Sequence, residues 1–478
     1  MGIKKNFLYN SILTLSQYII GLITFPYVSR VLGASNIGII SFVDSTINYF
    51  VLFSTMGIGI IGTREIAKNR NDSIRLNSVF SGLVTLFMIF TTIVMFTYII
   101  AVLYIPKLSA YKELFVIGTA KLIFTIFLIE WFYRGIENFR YITIINIFFR
   151  LLYVCSLFIF VRTKEDYEAY FILTTGLVGI NAIINSLYAR NFVKFSFKGI
   201  TLKPYFKQSL SLGTYAILTS MYTTFNIVYL GWVTDTTQVG YYWAALKIYS
   251  IILGGFSAFT AVMMPRMSSL IAQGNDDTFK QLINKSFNTL FTVCFPLVIG
   301  SIILAPQIIR ILSGEGYNGA IIPMQIIMLL VMVVGIAQVL AIQVLIPMKK
   351  DNLILIASII GASVGVILNL ILVKTYGCIG TAIVLLISEI SVTSFYIYIV
   401  YKNNIIALPW KSFADNLLFS IPYLIICYGA SLFFDKSIFI LLFAALASSL
   451  YLVFINIYVL KNSDLISILR SIINLIYK

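Results

Sequence analysis

The chain has 478 residues, 60% of them hydrophobic and 11% charged, with a formal net charge of +16 and no histidine. A soluble domain carries about 25% charged residues, so a mean hydropathy of +0.96 excludes a water-soluble core. The missing histidines exclude histidine-based zinc sites and histidine general bases.

From the N-terminus, MGIKKNFLYN sets two lysines before an apolar run that continues to Tyr27. No small-residue cleavage site interrupts it, which predicts an uncleaved first span and not a signal peptide. Apolar runs of about 20 residues, the length that crosses a ~30 Å hydrocarbon layer as helix, then recur along the chain. They predict spans at 7–29, 37–61, 79–103, 113–133, 141–162, 168–190, 209–233 and 241–264, followed by 286–312, 321–346, 352–373, 378–400, 412–434 and 437–459. Segments such as 83–104 are apolar on every face, unlike the alternating strands of a membrane β-barrel. The fold class is therefore an all-α polytopic membrane protein of about fourteen transmembrane helices.

Lysine and arginine set the orientation. Of the 34, 23 fall on the termini and even-numbered connections, 8 on the opposite side, and three (Lys121, Arg150 and Lys247) within spans. Both termini are thus expected in the cytoplasm. The positive charge reads as topology, with no nucleic-acid partner. The longest connection, 191–208, is basic and lacks room for a catalytic domain. The last stretch, 460–478, has charges at helical spacing among isoleucines and leucines, and is expected along the inner surface as an amphipathic helix.

The two halves repeat. A shift of 202 residues pairs Lys5 with Lys207, Tyr27 with Tyr229, Val31 with Val233, Gly38 with Gly240 and Arg64 with Arg266. The shift joins odd spans to odd spans, so the repeat is parallel, with a substrate expected at the midplane between halves. The expected units are an N-terminal lobe (1–190), a basic linker (191–208), a C-terminal lobe (209–400), two extra spans (401–459) and the tail.

Ionisable groups at membrane depth are costly and normally face a cavity or a partner. Asp44, Lys121, Glu130, Arg150, Lys247 and Glu389 lie at that depth. Lys121 and Arg150, in neighbouring spans, could both face the inner wall of the first lobe, where an anionic group such as a diphosphate would need them. The alternative is internal pairing, for instance of Lys121 with Glu130 or Glu389. Asp44 and Lys247 fall at equivalent depths in spans 2 and 8, which predicts an inter-lobe pair closing an outer gate. Asp44 or Glu389 is the candidate for coupling to protons or sodium. Arg64, Arg134 and Arg266 end spans on the basic side and serve equally well as headgroup anchors or substrate contacts, whereas Arg30 lies on the other side, against the charge rule.

The remaining motifs are structural. Gly57, Gly59 and Gly62 match a dinucleotide-binding spacing, but they end an apolar span with no strand before it, so they read as points of close helix approach. Gly361 and Gly365 read the same way, and Pro26, Pro296 and Pro306 are expected to bend spans. Cys155, Cys294, Cys378 and Cys427 are scattered, with no ligand spacing, and act as small hydrophobes. No metal or cofactor is expected.

The runs NFLYN, PYVSRVLGASNIGIISFVDSTINYF and GTREIA in the first quarter, then EWFYRGIENFRYITI, GYYWAALKI, PRMS and NLILVKTYGCIGTAI in order, resemble Wzx-type polysaccharide flippases. These belong to the multidrug/oligosaccharidyl-lipid/polysaccharide exporter superfamily. The likeness covers nearly the whole chain. It implies two six-helix lobes around a cavity opening alternately to each side of a bacterial inner membrane. It also implies a cargo of undecaprenyl-diphosphate-linked repeat units for O-antigen, capsule or similar polymers, with a polymerase and other assembly proteins as possible partners. Cationic cavity residues would map to Arg30, Lys121, Arg150 and Lys247. In related lipid II flippases two extra helices form a groove for the lipid tail, and spans 13 and 14 are expected to do the same. The rivals are a drug/cation antiporter or lipid II flippase of the same superfamily, and a membrane glycosyltransferase or polymerase. An antiporter for cations would want acidic cavity residues, and an enzyme would want larger loops.

Overall fold

The structure, a computed structural model, describes residues 3–197, 200 and 202–459; the amphipathic helix expected at 460–478 lies outside them. The first half of the chain forms α1 (Ile3–Thr55), α2 (Ile58–Asn69), α3 (Ser73–Tyr104), α4 (Lys112–Thr125), α5 (Glu130–Gly135), α6 (Phe139–Phe160) and α7 (Tyr167–Ala189). The second forms α8 (Lys203–Ser220), α9 (Thr224–Val233), α10 (Thr236–Ala272), α11 (Asp276–Ile303), α12 (Ala305–Leu312), α13 (Ile321–Met328), α14 (Leu330–Gln338), α15 (Asp351–Leu368) and α16 (Lys374–Lys402). The last three are α17 (Trp410–Leu418), α18 (Ile421–Phe433) and α19 (Ser437–Phe454). There is no strand among the described residues, because backbone polar groups in hydrocarbon must be satisfied within each segment.

Eleven stretches among the described residues are long and apolar enough to cross a membrane. Two of them, Ile12–Asn69 and Asp351–Lys402, each hold two expected spans. The break within each is made by one glycine, Gly33 (φ 76°, ψ 169°) and Gly377 (φ 54°, ψ −129°), in conformations that side chains disfavour. Where the sequence suggests a loop at 30–36, the helix breaks at a single residue and restarts. The expected span 209–233 is divided into α8 and α9.

Polar residues cap the helices that start at the loops. Asp72 accepts from the Ile74 and Arg75 amides, Asn138 from Tyr141, Asp235 from Gln238 and Asn275 from Thr278. Pro26 and Pro296 sit inside α1 and α11, as does Pro265 in α10. Pro306 does not bend a span. It lies in the first turn of α12, where the missing amide hydrogen leaves nothing unpaired.

The longest helix contact runs between α1 and α10, one from each half. Its closest point is symmetric. A Cβ on Gly38 would strike the carbonyl of Thr236, and a Cβ on Gly240 would strike the carbonyl of Ala34. Ala34 and Thr236 are themselves 202 residues apart, like the two glycines. The Ser35 and Thr236 hydroxyls add a 3.1 Å hydrogen bond beside the glycines.

Further along, toward the basic loops, the halves meet again. The Tyr49 hydroxyl donates to the Ser220 carbonyl at 2.9 Å, and the Ser209 hydroxyl to the Met56 carbonyl at 2.6 Å. Gly57, at φ 74°, packs on Leu212 and Gly213, while Gly62 packs on the Trp131 ring. Gly361 and Gly365 give Tyr222 room to lie against α15. Of the apparent dinucleotide motif, Gly57 and Gly62 thus serve helix contact, whereas Gly59 faces open space.

Candidate functional site

Between these two contacts lies a cavity of about 280 Å³, walled by the second arm of α1, α4, α7 and α10. Gly38 and Asp44 are six residues apart on α1, and Gly240 and Lys247 seven apart on α10. At 1.5 Å per residue, both charges stand roughly 10 Å beyond the glycine contact. The repeat therefore brings an acid from one half and a base from the other to one depth.

Asp44, Lys121 and Lys247 all line this cavity. Lys121, on α4, donates through Nζ to Asp44 Oδ1 at 2.5 Å. Asn48, one turn along from Asp44, donates to its other carboxylate oxygen at 2.9 Å. Lys247 lies beside the Trp243 ring, 5.8 Å from its centroid, with its stem against Gly21. No acidic group reaches ion-pair distance of Lys247 among the described residues. Counting the three charges, the cavity is positive by one. The outer-gate pair expected between Asp44 and Lys247 is not formed, because Asp44 turns to the ammonium within its own half.

The other predicted residues lie elsewhere. The Arg150 guanidinium donates to the Leu13 carbonyl and the Ser16 hydroxyl, both at 2.5 Å, and to Gln17 at 3.4 Å. It thereby ties α6 to the first arm of α1, away from the cavity wall. Arg30 donates to the Ile311 carbonyl, and the neighbouring Ser29 hydroxyl donates to the Leu312 carbonyl at 3.1 Å. That position clasps the first half to α12 beside the Gly33 break, so Arg30 does not reach the cavity. Arginine's rigid fork suits such carbonyl clamps.

Glu130 does not pair with Lys121; it takes Arg134 at 3.4 Å and Asn146 at 3.1 Å. Arg64 binds Gln208 at 2.6 Å across the halves on the basic side, and Arg266 is exposed near the end of α10. Glu389 sits on α16 with Tyr222, Tyr249 and Tyr396 within electrostatic reach. No hydrogen bond or ion pair reaches it among the described residues.

The sequence did not single out Trp243, Tyr170, Phe171, Ser41, Thr174 or Thr175, which supply the rest of the polar and aromatic lining. Only Trp243 carried a signal, lying one turn before Lys247 on the same helix. A second, apolar hollow of about 410 Å³ separates α11 and α12 from α18 and α19, lined by Leu297, Gly300, Leu304, Leu441 and Ala444. Among the described residues, no group of three or more acids or cysteines is placed to hold a metal ion.

Residues 3–271 match the family described as polysaccharide biosynthesis protein. A putative O-antigen transporter of Escherichia coli (strain K12) is 27% identical over 421 residues, 85% of this chain and 98% of that protein. Among solved structures, the lipid II flippase MurJ in an inward closed conformation superposes with a TM-score of 0.78 at 18% identity, covering 94% of this chain and 98% of its own. An outward-facing multidrug resistance MATE family transporter of the MOP superfamily gives 0.58 at 14% identity, covering 84% and 96%.

Proposed function

The chain belongs to the polysaccharide biosynthesis protein family, and from that membership we propose that it flips a lipid-linked oligosaccharide across the bacterial inner membrane, from the cytoplasmic to the outer leaflet. The observation that carries this reading is the cavity between the halves, which holds Lys121 and Lys247 against a single carboxylate. An excess cation at membrane depth is costly unless an anion uses it. A diphosphate linking sugar to an undecaprenyl tail is such an anion.

The protein is a transporter and not an enzyme. The two contacts that bound the cavity support alternating access. Release of the Tyr49–Ser220, Met56–Ser209 and Arg64–Gln208 contacts opens it to the cytoplasm, and release of the Gly38–Gly240 contact with the Arg30 and Ser29 clasp on α12 opens it outward. The two lobes at 1–190 and 209–400 rock about the cavity as units. Both termini are cytoplasmic, as the basic loops require, and fourteen crossings follow if the breaks at Gly33 and Gly377 divide their helices and α8 with α9 makes one span. The hollow beside α18 and α19 takes the lipid tail, while the sugar faces Trp243, Tyr170 and the threonines of α7. Glu389 is the candidate for ion coupling, since a carboxylate without a counter-charge can exchange a proton or sodium.

The MATE likeness supports a second reading, a drug antiporter. The positive cavity disfavours cationic drugs, and the likeness is one of fold alone. The deciding experiment deletes the gene and follows lipid-linked repeat units. They should accumulate on the cytoplasmic leaflet, and the purified protein in vesicles should restore their translocation. Unchanged translocation without the protein sinks the assignment.

A further inference from the structure

We propose that Asp44 is a resident counter-anion, which holds Lys121 when cargo is absent and which the anionic group of the cargo displaces. The proposal rests on the reading of the cavity as an anion site. It assigns Asp44 a role that neither a gate nor a fixed structural pair would have.

Three observations carry it. First, Asp44 and Lys121 meet on the wall of the cavity, and the Asp44 side chain keeps 37% of its surface exposed against 19% for Lys121. The pair is thus open to the cavity, where a cargo anion competes with the carboxylate for the Lys121 ammonium. Second, Asn48 holds the carboxylate from its own helix. When Lys121 leaves, Asp44 keeps a donor and need not move. Third, Lys247 across the cavity has no acidic partner among the described residues, so a single cation stands free to attract the anion. A diphosphate carries more than one negative charge, and Lys247 alone cannot neutralise it. Lys121 must turn to it, giving up Asp44.

Lysine suits this exchange. Its ammonium is a point charge with three rotatable donors, so changing partner needs rotation of one side chain and no backbone movement. In the unloaded state the carboxylate also leaves one ammonium, Lys247, and not two without a counter-charge, which limits the cost of burying unpaired cations. Because the carboxylate and the cargo compete for one cation, binding is weakened and release on the far side becomes easier. A carrier gains turnover from that competition, whereas a permanent binder would gain nothing. The step is an exchange of non-covalent partners, with no bond formed or broken.

The test measures binding of inorganic pyrophosphate and of farnesyl diphosphate to the full chain in lipid nanodiscs by calorimetry. Coupling between competing ligands is commonly about fivefold or more, so Asp44→Asn should bind both probes at least about fivefold tighter than the wild type while flipping lipid-linked cargo more slowly. Lys121→Gln should bind both weakly, and Asp44→Asn combined with Lys121→Gln should match Lys121→Gln alone. If Asp44→Asn binds no tighter while Lys121→Gln is weakened, the counter-anion idea is overturned and the anion cavity stands. Tightening for farnesyl diphosphate alone also overturns it, since the effect would then act on the tail. If neither Lys121→Gln nor Lys247→Gln changes pyrophosphate binding, the anion reading itself fails.

An infrared difference spectrum of the wild type covers the case where Asp44→Asn does not fold. Pyrophosphate should shift a carboxylate band that stays unshifted in Lys121→Gln. An unshifted band in the wild type, with pyrophosphate bound, overturns the proposal.

Discussion

Gly38 and Gly240 stand in reciprocal contact: each faces the backbone carbonyl of the residue four positions before the other, Thr236 and Ala34 respectively. The pair is 202 residues apart and holds the two halves together at one end of the cavity. No side chain fits at either position.

A methyl group at either site should therefore oppose closure. Overpacking of this kind costs about 1–3 kcal/mol, enough to shift a closed–open balance by roughly fivefold or more. Gly38→Ala and Gly240→Ala should each leave the outer side open. Distances between spin labels on the outer ends of α1 and α10 would report it. Unchanged distances in both variants would remove the contact from the gate.

The opposite end can be loosened by single atoms. Tyr49→Phe removes the hydroxyl that donates to the Ser220 carbonyl and accepts from the Ser220 hydroxyl, and Ser209→Ala deletes one further hydrogen bond between the halves, each worth about 0.5–1.5 kcal/mol. Together they should expose the cavity to the cytoplasm. A cysteine placed at Thr174, in a background with the exposed Cys155 replaced by alanine, should then react faster with an impermeant thiol reagent added on that side.

Asp44 should couple energetically to Lys121 and not to Lys247. Residues in direct contact show interaction energies of about 0.5–3 kcal/mol in double-mutant cycles. Thermal unfolding of Asp44→Asn, Lys121→Gln and their combination should give a value in that range. The same cycle with Lys247→Gln should give one near zero.

Arg150 should act on stability more than on cargo. Its guanidinium bonds the Leu13 carbonyl and the Ser16 hydroxyl, and Arg150→Lys cannot span both with a fork. Hydrogen bonds from a charged group contribute about 1.5–3 kcal/mol, so the melting temperature should fall by several degrees while pyrophosphate affinity holds. A large loss of affinity with unchanged melting would place Arg150 in the binding site after all.

Filling the apolar hollow should separate tail from head. A Cβ on Gly300 would reach only to 3.8 Å from the Cys427 sulfur, so Gly300→Phe projects a ring into free space between α11 and α18. Farnesyl diphosphate should bind more weakly, with pyrophosphate unaffected. Equal weakening of both would mean a general distortion.

Several elements are legible in the sequence. Runs such as Ser73–Tyr104 lie where their hydropathy put them, because hydrocarbon admits only segments that satisfy their own backbone. The Gly38–Gly240 correspondence was visible as a repeat, though not its meaning as a contact. The breaks at Gly33 and Gly377 were not visible, since a glycine permits a left-handed turn without requiring one.

The sequence by itself determined the class of the molecule, the 202-residue correspondence between its halves and the list of charges at membrane depth. These depend on composition and on position along the chain, which a linear string carries. Only the tertiary structure decided which of those charges meet. Asp44 could have faced Lys247 across the halves, and Arg150 and Arg30 could have lined the cavity. Partner choice depends on how each helix is rotated about its axis and where its breaks fall. Packing of whole helices against one another sets both, so Lys121 found a carboxylate while the two arginines found backbone carbonyls.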